Sequence, residues 1–417
     1  MPATRIPPVV DGPARPAHRD GNVLRWVGAY TASMLGDSVF FLALSWAAVR
    51  QGSPAEAGIV TAVSAVPRAL LMLGGGVVVD RLGPRRVVIG SDAVRCAAVL
   101  TVAALLFATD PGLWLLGLLA LVFGAVDALF MPAVGALPAR ITAKDQLARV
   151  QGMRGLAVRL SSVVGAPLGG LGVALGGAAA AFALAGVLIA VSVPLLVSVR
   201  LRELPPDDTA TAEGGTAWRD LRDGLRYIRR HRVLGPLMLV IALGDLGFVG
   251  PLNIGLTLLA DERGWGASGM GWVLAGFGAG AGTAALLLTV RGRVPHAGYV
   301  VAGALVPGAV AIGALAQAPA LPVAVGTALL IGLLAGLSGA LCGALLQTQS
   351  APVLLGRVTA VSGIVSLGIA PLSMPLSAAA IGVWGTGPVF AVSAVVCGLG
   401  GVVALCAPGV RRAELPK

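Results

Sequence analysis

Charge is scarce in this sequence. Of its 417 residues only 12% are Asp, Glu, Lys or Arg, where a soluble domain carries about a quarter. With so little polar surface, a water-soluble fold of this size cannot cover its outside. Aromatics are also few, at 5%. The three histidines, His18, His231 and His296, all fall in loops or tails. The four cysteines, Cys96, Cys342, Cys397 and Cys406, lie in apolar runs without disulfide or metal spacing. No catalytic pair, metal site or cofactor motif is expected, so an enzyme is a poor reading. The formal net charge of +11 is spread over short segments without an aromatic-interleaved patch, which argues against nucleic acid. Residues 1–22 lack the apolar core of a cleaved leader and are expected to be a tail.

What is abundant is hydrophobic sequence, at 57%, together with 60 glycines and a mean hydropathy of +0.89. A helix needs about 20 apolar residues to cross a bilayer. Runs of that length predict twelve spans: 24–49, 56–79, 87–109, 113–138, 152–175, 178–199, 234–260, 269–290, 297–316, 322–346, 357–382 and 387–407. With both termini cytoplasmic, the inner loops hold Arg81, Arg85, Arg86, Arg140, Lys144, Arg149, Arg291, Arg293 and Arg357, and the outer side keeps only Arg50 and Arg263. That asymmetry follows the positive-inside rule. The expected fold is an all-α membrane protein of two pseudo-symmetric six-helix bundles. Its domains are a cytoplasmic tail (1–23), a first bundle (24–199), a linker (200–233), a second bundle (234–407) and a second tail (408–417). Within the linker, WRDLRDGLRYIRRHR (218–232) spaces Trp218, Leu221, Leu225 and Ile228 at helical intervals, which predicts an amphipathic helix on the inner membrane surface.

The two halves echo one another. LGDSVF at 35–40 returns as LGDLGF at 243–248, so Asp37 and Asp245 stand 208 positions apart. LARVQGMRG (147–155) and LGRVTAVSG (355–363) match at the same step. Duplicated halves put a substrate site between them, near mid-membrane.

GVVVDRLGPRR (76–86) joins the second and third spans. It resembles the signature loop of the major facilitator superfamily, matched by Gly76, Asp80, Arg81, Gly83, Arg85 and Arg86. Pro84 departs from that pattern, and the matching loop of the second half, VRGRVPHAG (290–298), has no aspartate. The resemblance implies a conformational latch at these residues. Within the superfamily the chain is similar to the macrolide-efflux and enterobactin-exporter branch of drug:proton antiporters. The stretches that carry this are LGD in the first span, FMPAVGALPARITAKDQLARV (130–150), DLRDGLRYIRRH (220–231) and LLGRV (354–358). SSVVGAPLGG (161–170) resembles the superfamily's antiporter motif. Gly165, Pro167, Gly169 and Gly170 are then either a pivot in the fifth span or a stripe for close packing.

Four charges fall near mid-depth: Asp37, Arg68, Asp127 and Asp245. Each costs about 2.5–3.5 kcal/mol on insertion scales, so ornament is a poor explanation. Arg68 is expected to neutralise Asp37 or Asp127, with Arg159 a further candidate partner. Asp245 has no cation nearby in sequence, and burial disfavours the charged form of such an acid. Asp37, Asp245 and Asp127 are therefore the candidates for proton coupling. A structural ion pair is the competing reading for the first-half cluster, and a neutral acid bonded to a serine or carbonyl for Asp245. Asp92 and Arg95, three apart, are expected to form an ordinary local pair. The partners implied are a small-molecule substrate, protons and the lipid bilayer, with the chain acting as a monomer in the cell membrane. The resemblance implies export of a small, largely apolar compound by proton antiport; the alternative is proton-coupled uptake on the same fold.

Overall fold

A computed structural model of the chain describes residues 19–109, 111–142, 146–201, 217–291, 294–351 and 354–414. The first half comprises α1 (Gly21–Gln51), α2 (Pro54–Val63), α3 (Ala65–Leu82), α4 (Pro84–Ala108), α5 (Leu113–Ile141) and α6 (Leu147–Ser198). A short helix follows, α7 (Ala217–Arg230). The second half comprises α8 (Leu234–Gly250), α9 (Leu256–Glu262), α10 (Gly266–Arg291), α11 (Ala297–Ala316), α12 (Leu321–Gln349), α13 (Leu355–Trp384) and α14 (Thr386–Cys406), ending in α15 (Pro408–Arg411).

Local chemistry sets the helix ends. Asp20 caps α1 by accepting from the Asn22 amide at 2.8 Å. The Asn22 side chain exchanges two 2.7 Å bonds with the Arg200 backbone, tying the start of α1 to the end of α6. Ser53 and Glu56 form a capping box at α2, with Pro54 in the first turn. Between α3 and α4, Gly83 takes φ +84°, a left-handed angle that strains any residue with a Cβ.

Among the described residues, nine helices are long and apolar enough to cross a membrane. That number is consistent with twelve crossings. The long α6 bends at Gly176 and Gly177 and so holds the fifth and sixth spans. Ser64, between α2 and α3, keeps helical angles of φ −62° and ψ −30°, so those two helices run on as the second span. α13 supplies the eleventh. In the seventh, a π-helical turn at Pro251–Gly255 separates α8 from α9.

The repeat seen in the sequence reappears in the helix ends. Shifting α5 by 208 residues gives the bounds of α12, and the same shift carries the α6 bend at Gly177 onto Gly385, where α13 meets α14. Both glycines have positive φ, +69° and +81°. Large apolar side chains such as Leu70, Trp114 and Val290 are exposed on the helix surfaces, as lipid-facing positions should be.

The halves join at the helix ends remote from the termini. There one apolar cluster brings Phe40, Leu116 and Phe182 against Ile254, Leu258 and Ile381. Another sets Leu42 and Ala166 against Leu256, Met270 and Phe390. Close backbone approach makes the seam. A Cβ on Gly170 would stand 2.5 Å from the Ala267 carbonyl oxygen, and one on Gly271 would stand 2.6 Å from that of Ala166. At the terminal end the apolar clusters each draw on one half alone.

The linker segment expected to be helical falls on α7 (Ala217–Arg230). It docks on the second half, where Ile228 is buried, the Tyr227 hydroxyl accepts from the Ala351 amide at 3.3 Å and Gly224 faces Arg357. Leu225 stays exposed, and the side chains of Trp218 and Leu221 lie outside those described.

Candidate functional site

Two buried polar regions occupy equivalent levels of the two halves. In the first half α1 carries Ser33 and Asp37 one helical turn apart, and both face Arg95 of α4. Arg95 Nη1 donates to Asp37 Oδ1 at 3.0 Å and Oδ2 at 2.9 Å. Its Nη2 donates to Ser33 Oγ at 3.0 Å and also to Asp92. Asp92 accepts further bonds from Ser33 Oγ, at 3.1 Å, and from Ser192 of α6. The Arg95 side chain is 0% exposed. Its guanidinium carbon lies 4.0 Å from the Phe130 ring centre and 5.3 Å from that of Phe123, a cation–π setting strengthened by desolvation.

This corrects the expectation for Asp92 and Arg95. They are not an ordinary local pair; both are fully buried, and Arg95 is the hub that joins α1, α4, α5 and α6. Arg68 pairs with Asp127, at 3.1 Å, and Asp37 takes Arg95 in its place. The other expected partner, Arg159, is exposed on α6, and no ion pair holds it among the described residues. Arg95 was detectable in principle: three acids at depth in the first half need more than the single cation Arg68.

In the second half Asp245 accepts from Ser366 Oγ of α13 at 2.6 Å and lines a cavity of about 510 Å³. Phe248, Ile331 and Leu346 give it an apolar wall, and Ser338, Gln347 and Ser362 add polar groups. No arginine, lysine or histidine is among the described residues lining it. All its lining residues belong to α8, α11, α12, α13 and α14. This cavity therefore lies inside the second bundle.

The loop expected to act as a latch is partly described. Arg85 Nη2 donates to the Val197 carbonyl at 2.5 Å, a bond within the first half, and Arg81 and Arg86 extend the charged end. Gly76 lies within α3, and the Asp80 side chain lies outside those described. In α6, helix continues through Pro167. A Cβ on Gly165 would stand 2.5 Å from Ser38 Cβ, and one on Gly169 would stand 3.3 Å from Val39 Cα. These glycines, with Gly170, seat α6 against α1 and α10.

Comparison with known proteins places this geometry. Residues 27–367 match the sequence profile of the Major Facilitator Superfamily. Multidrug efflux pump Tap of Mycobacterium tuberculosis (strain ATCC 25618 / H37Rv) is 27% identical over 404 residues, covering 91% of this chain and 92% of that one. Enterobactin exporter EntS of Shigella flexneri is 26% identical over 290 residues, covering 69% and 67%. The structure of a bacterial homologue of the human lysosomal transporter Spinster superposes with a TM-score of 0.68 at 13% identity, covering 93% of this chain and 95% of that one.

Proposed function

The chain belongs to the major facilitator superfamily of membrane transporters, and from that premise we propose that it exports a small, largely apolar compound in exchange for protons. The names of the relatives, a multidrug efflux pump and an enterobactin exporter, support the outward direction. The loop charges support cytoplasmic termini. With that orientation the joined ends face outward. Export then requires the outer seam at Gly170 and Gly271 to part and the inner ends to close, in the rocking motion that repeated bundles permit. Arg85 and its neighbours would latch the inner ends in the alternate state.

The observation that carries proton coupling is a charge imbalance. Among the described residues, the ion-paired interior of the first half holds three acids, Asp37, Asp92 and Asp127, against two bases, Arg68 and Arg95. One negative charge is left over in a low-dielectric setting, where an uncompensated charge is expensive. Asp92 has three donors and no exposure, so its ionised form is satisfied. Asp127 has its own arginine. Asp37 shares Arg95 with Asp92 and is 13% exposed, which makes it the group that takes up the compensating proton. Protonating Asp37 weakens its bond to Arg95, and that exchange biases α1 against α4. Asp127 keeps Arg68 in place as a structural counter-charge.

Everted membrane vesicles containing the full chain test the reading with a panel of cationic, neutral and anionic fluorescent dyes. An exporter accumulates at least one dye inside respiring vesicles, and a protonophore abolishes the accumulation. Dye loss from the vesicles indicates uptake in the cell instead, and accumulation indifferent to the protonophore removes proton coupling.

A further inference from the structure

The cavity beside Asp245 stands where the first half holds Arg95. The 208-residue repeat maps Asp37 onto Asp245, and its phase holds in burial as well as in sequence. Buried Leu116, Ala120, Phe123 and Phe130 of α5 map onto buried Ala328 and Ile331 and their neighbours on α12, with Phe130 falling on Ser338 and Asp127 on Ala335. On α11 the buried face comes into step one residue later. Val88, Asp92, Arg95 and Val99 of α4 then map onto Ala297, Val301, Ala304 and Gly308, all buried.

This register puts Ala304 where Arg95 stands, Ile331 where Phe123 flanks it, and Ser338 where Phe130 stacks on it. Ala304, Ile331, Ala335, Ser338 and Asp245 all line the cavity. In the first half a guanidinium and two phenyl rings fill this position. In the second half the carboxylate remains, the guanidinium has become a methyl group, and one ring has become a hydroxymethyl group. The emptied volume, about 510 Å³, is large enough for a small organic molecule. The Ser366 hydroxyl holds the carboxylate in position at 2.6 Å.

We propose that the Asp245 cavity binds a ligand bearing a single guanidinium or ammonium group on an apolar body, its cation occupying the place that Arg95 takes in the first half. Among the described residues no protein cation faces the carboxylate, so the ligand supplies one, and Ile331, Phe248 and Leu346 cover the apolar body. Ser338, in place of Phe130, offers the cation a hydroxyl acceptor. The inference deepens the transporter reading by naming a substrate class. It concerns binding alone and needs neither export nor proton coupling to be correct.

Calorimetry on the full chain purified in detergent, without any gradient, tests it with two probes of one shape. These are phenylbutylguanidinium and its neutral isostere phenylbutylurea. A charge-assisted bond to a partly buried carboxylate is worth enough to favour the guanidinium by about tenfold or more. That preference is lost in Asp245→Asn. It is also lost in Ala304→Arg, which rebuilds the first-half arrangement and fills the site from within. If Asp245→Asn fails to fold, Ala304→Arg decides the matter, because its arginine has the acid to pair with. Equal binding of the two probes to the unaltered chain, absence of binding by either, or a preference that survives Ala304→Arg overturns the proposal. Each of those results leaves the vesicle assay of export untouched.

Discussion

Replacing Arg95 with methionine probes the first half most sharply. Methionine keeps the length and the apolar contact with Phe130 but removes the donors that Arg95 directs at Asp37, Asp92 and Ser33. Removing one partner of a buried ion pair costs about 3–5 kcal/mol, because the surviving charge is stranded. Here two carboxylates are stranded, so the upper end, about 5 kcal/mol, is expected. Arg95→Lys retains the charge but loses the planar fork, at a cost of about 1–3 kcal/mol. In the double variant Arg95→Met/Asp92→Asn one of the stranded acids is gone, and roughly half the loss should return, since the two sites share one network. Large chains often unfold irreversibly, so the comparison is one of rates. The fraction of monodisperse protein remaining on gel filtration after timed heating in detergent gives that rate. A single Arg95→Met variant as durable as the parent chain, or a double variant no better than the single, refutes the hub.

Other consequences follow from the seam and the linker. Gly271→Leu places a side chain where even a Cβ stands 2.6 Å from the Ala166 carbonyl oxygen. Spin labels at Thr109 and Gln317, on the remote ends of the two halves, should move apart; an unchanged distance contradicts the close-packed seam. Arg50→Ala removes an ion pair to Asp261 whose side chains are 64% and 39% exposed. Such pairs contribute roughly 0–1 kcal/mol, so the heating assay should barely change, and a large loss would mean the pair is shielded. Gly224→Leu crowds Arg357, whose Cβ a glycine Cβ would meet at 3.2 Å. It should release α7 and speed cleavage of the linker by trypsin, while equal cleavage shows that docking does not depend on this approach.

Much of the architecture was legible because the bilayer imposes a length on every apolar run. The expected break between 175 and 178 coincides with the bend at Gly176 and Gly177. The paired LGD stretches gave the repeat that the helix ends reproduce. Arg95 was misread because spacing of three on one helix looks the same at a surface as in a core. Only the approach of α1, which sets Ser33 and Asp37 on either side of the guanidinium, distinguishes them. The pairing of Arg68 with Asp127 over Asp37 likewise depends on how α3 and α5 pack, which no local pattern encodes. The cavity was hidden for a related reason: an alanine at 304 is unremarkable until Arg95 is found at the matching point of the other half. Placing the site between the bundles followed from the repeat alone. The described cavity is built by side chains of the second bundle alone.

The most direct test of proton coupling at Asp37 uses the purified chain in liposomes, loaded with a dye that the vesicle panel identifies. Asp37→Asn should still exchange dye down its gradient but no longer concentrate it when a proton gradient is imposed, because the cluster is neutral without taking up a proton. If the variant concentrates the dye as the parent chain does, with the same dependence on external pH, the coupling proton is carried elsewhere and the charge imbalance of the first half is not its source.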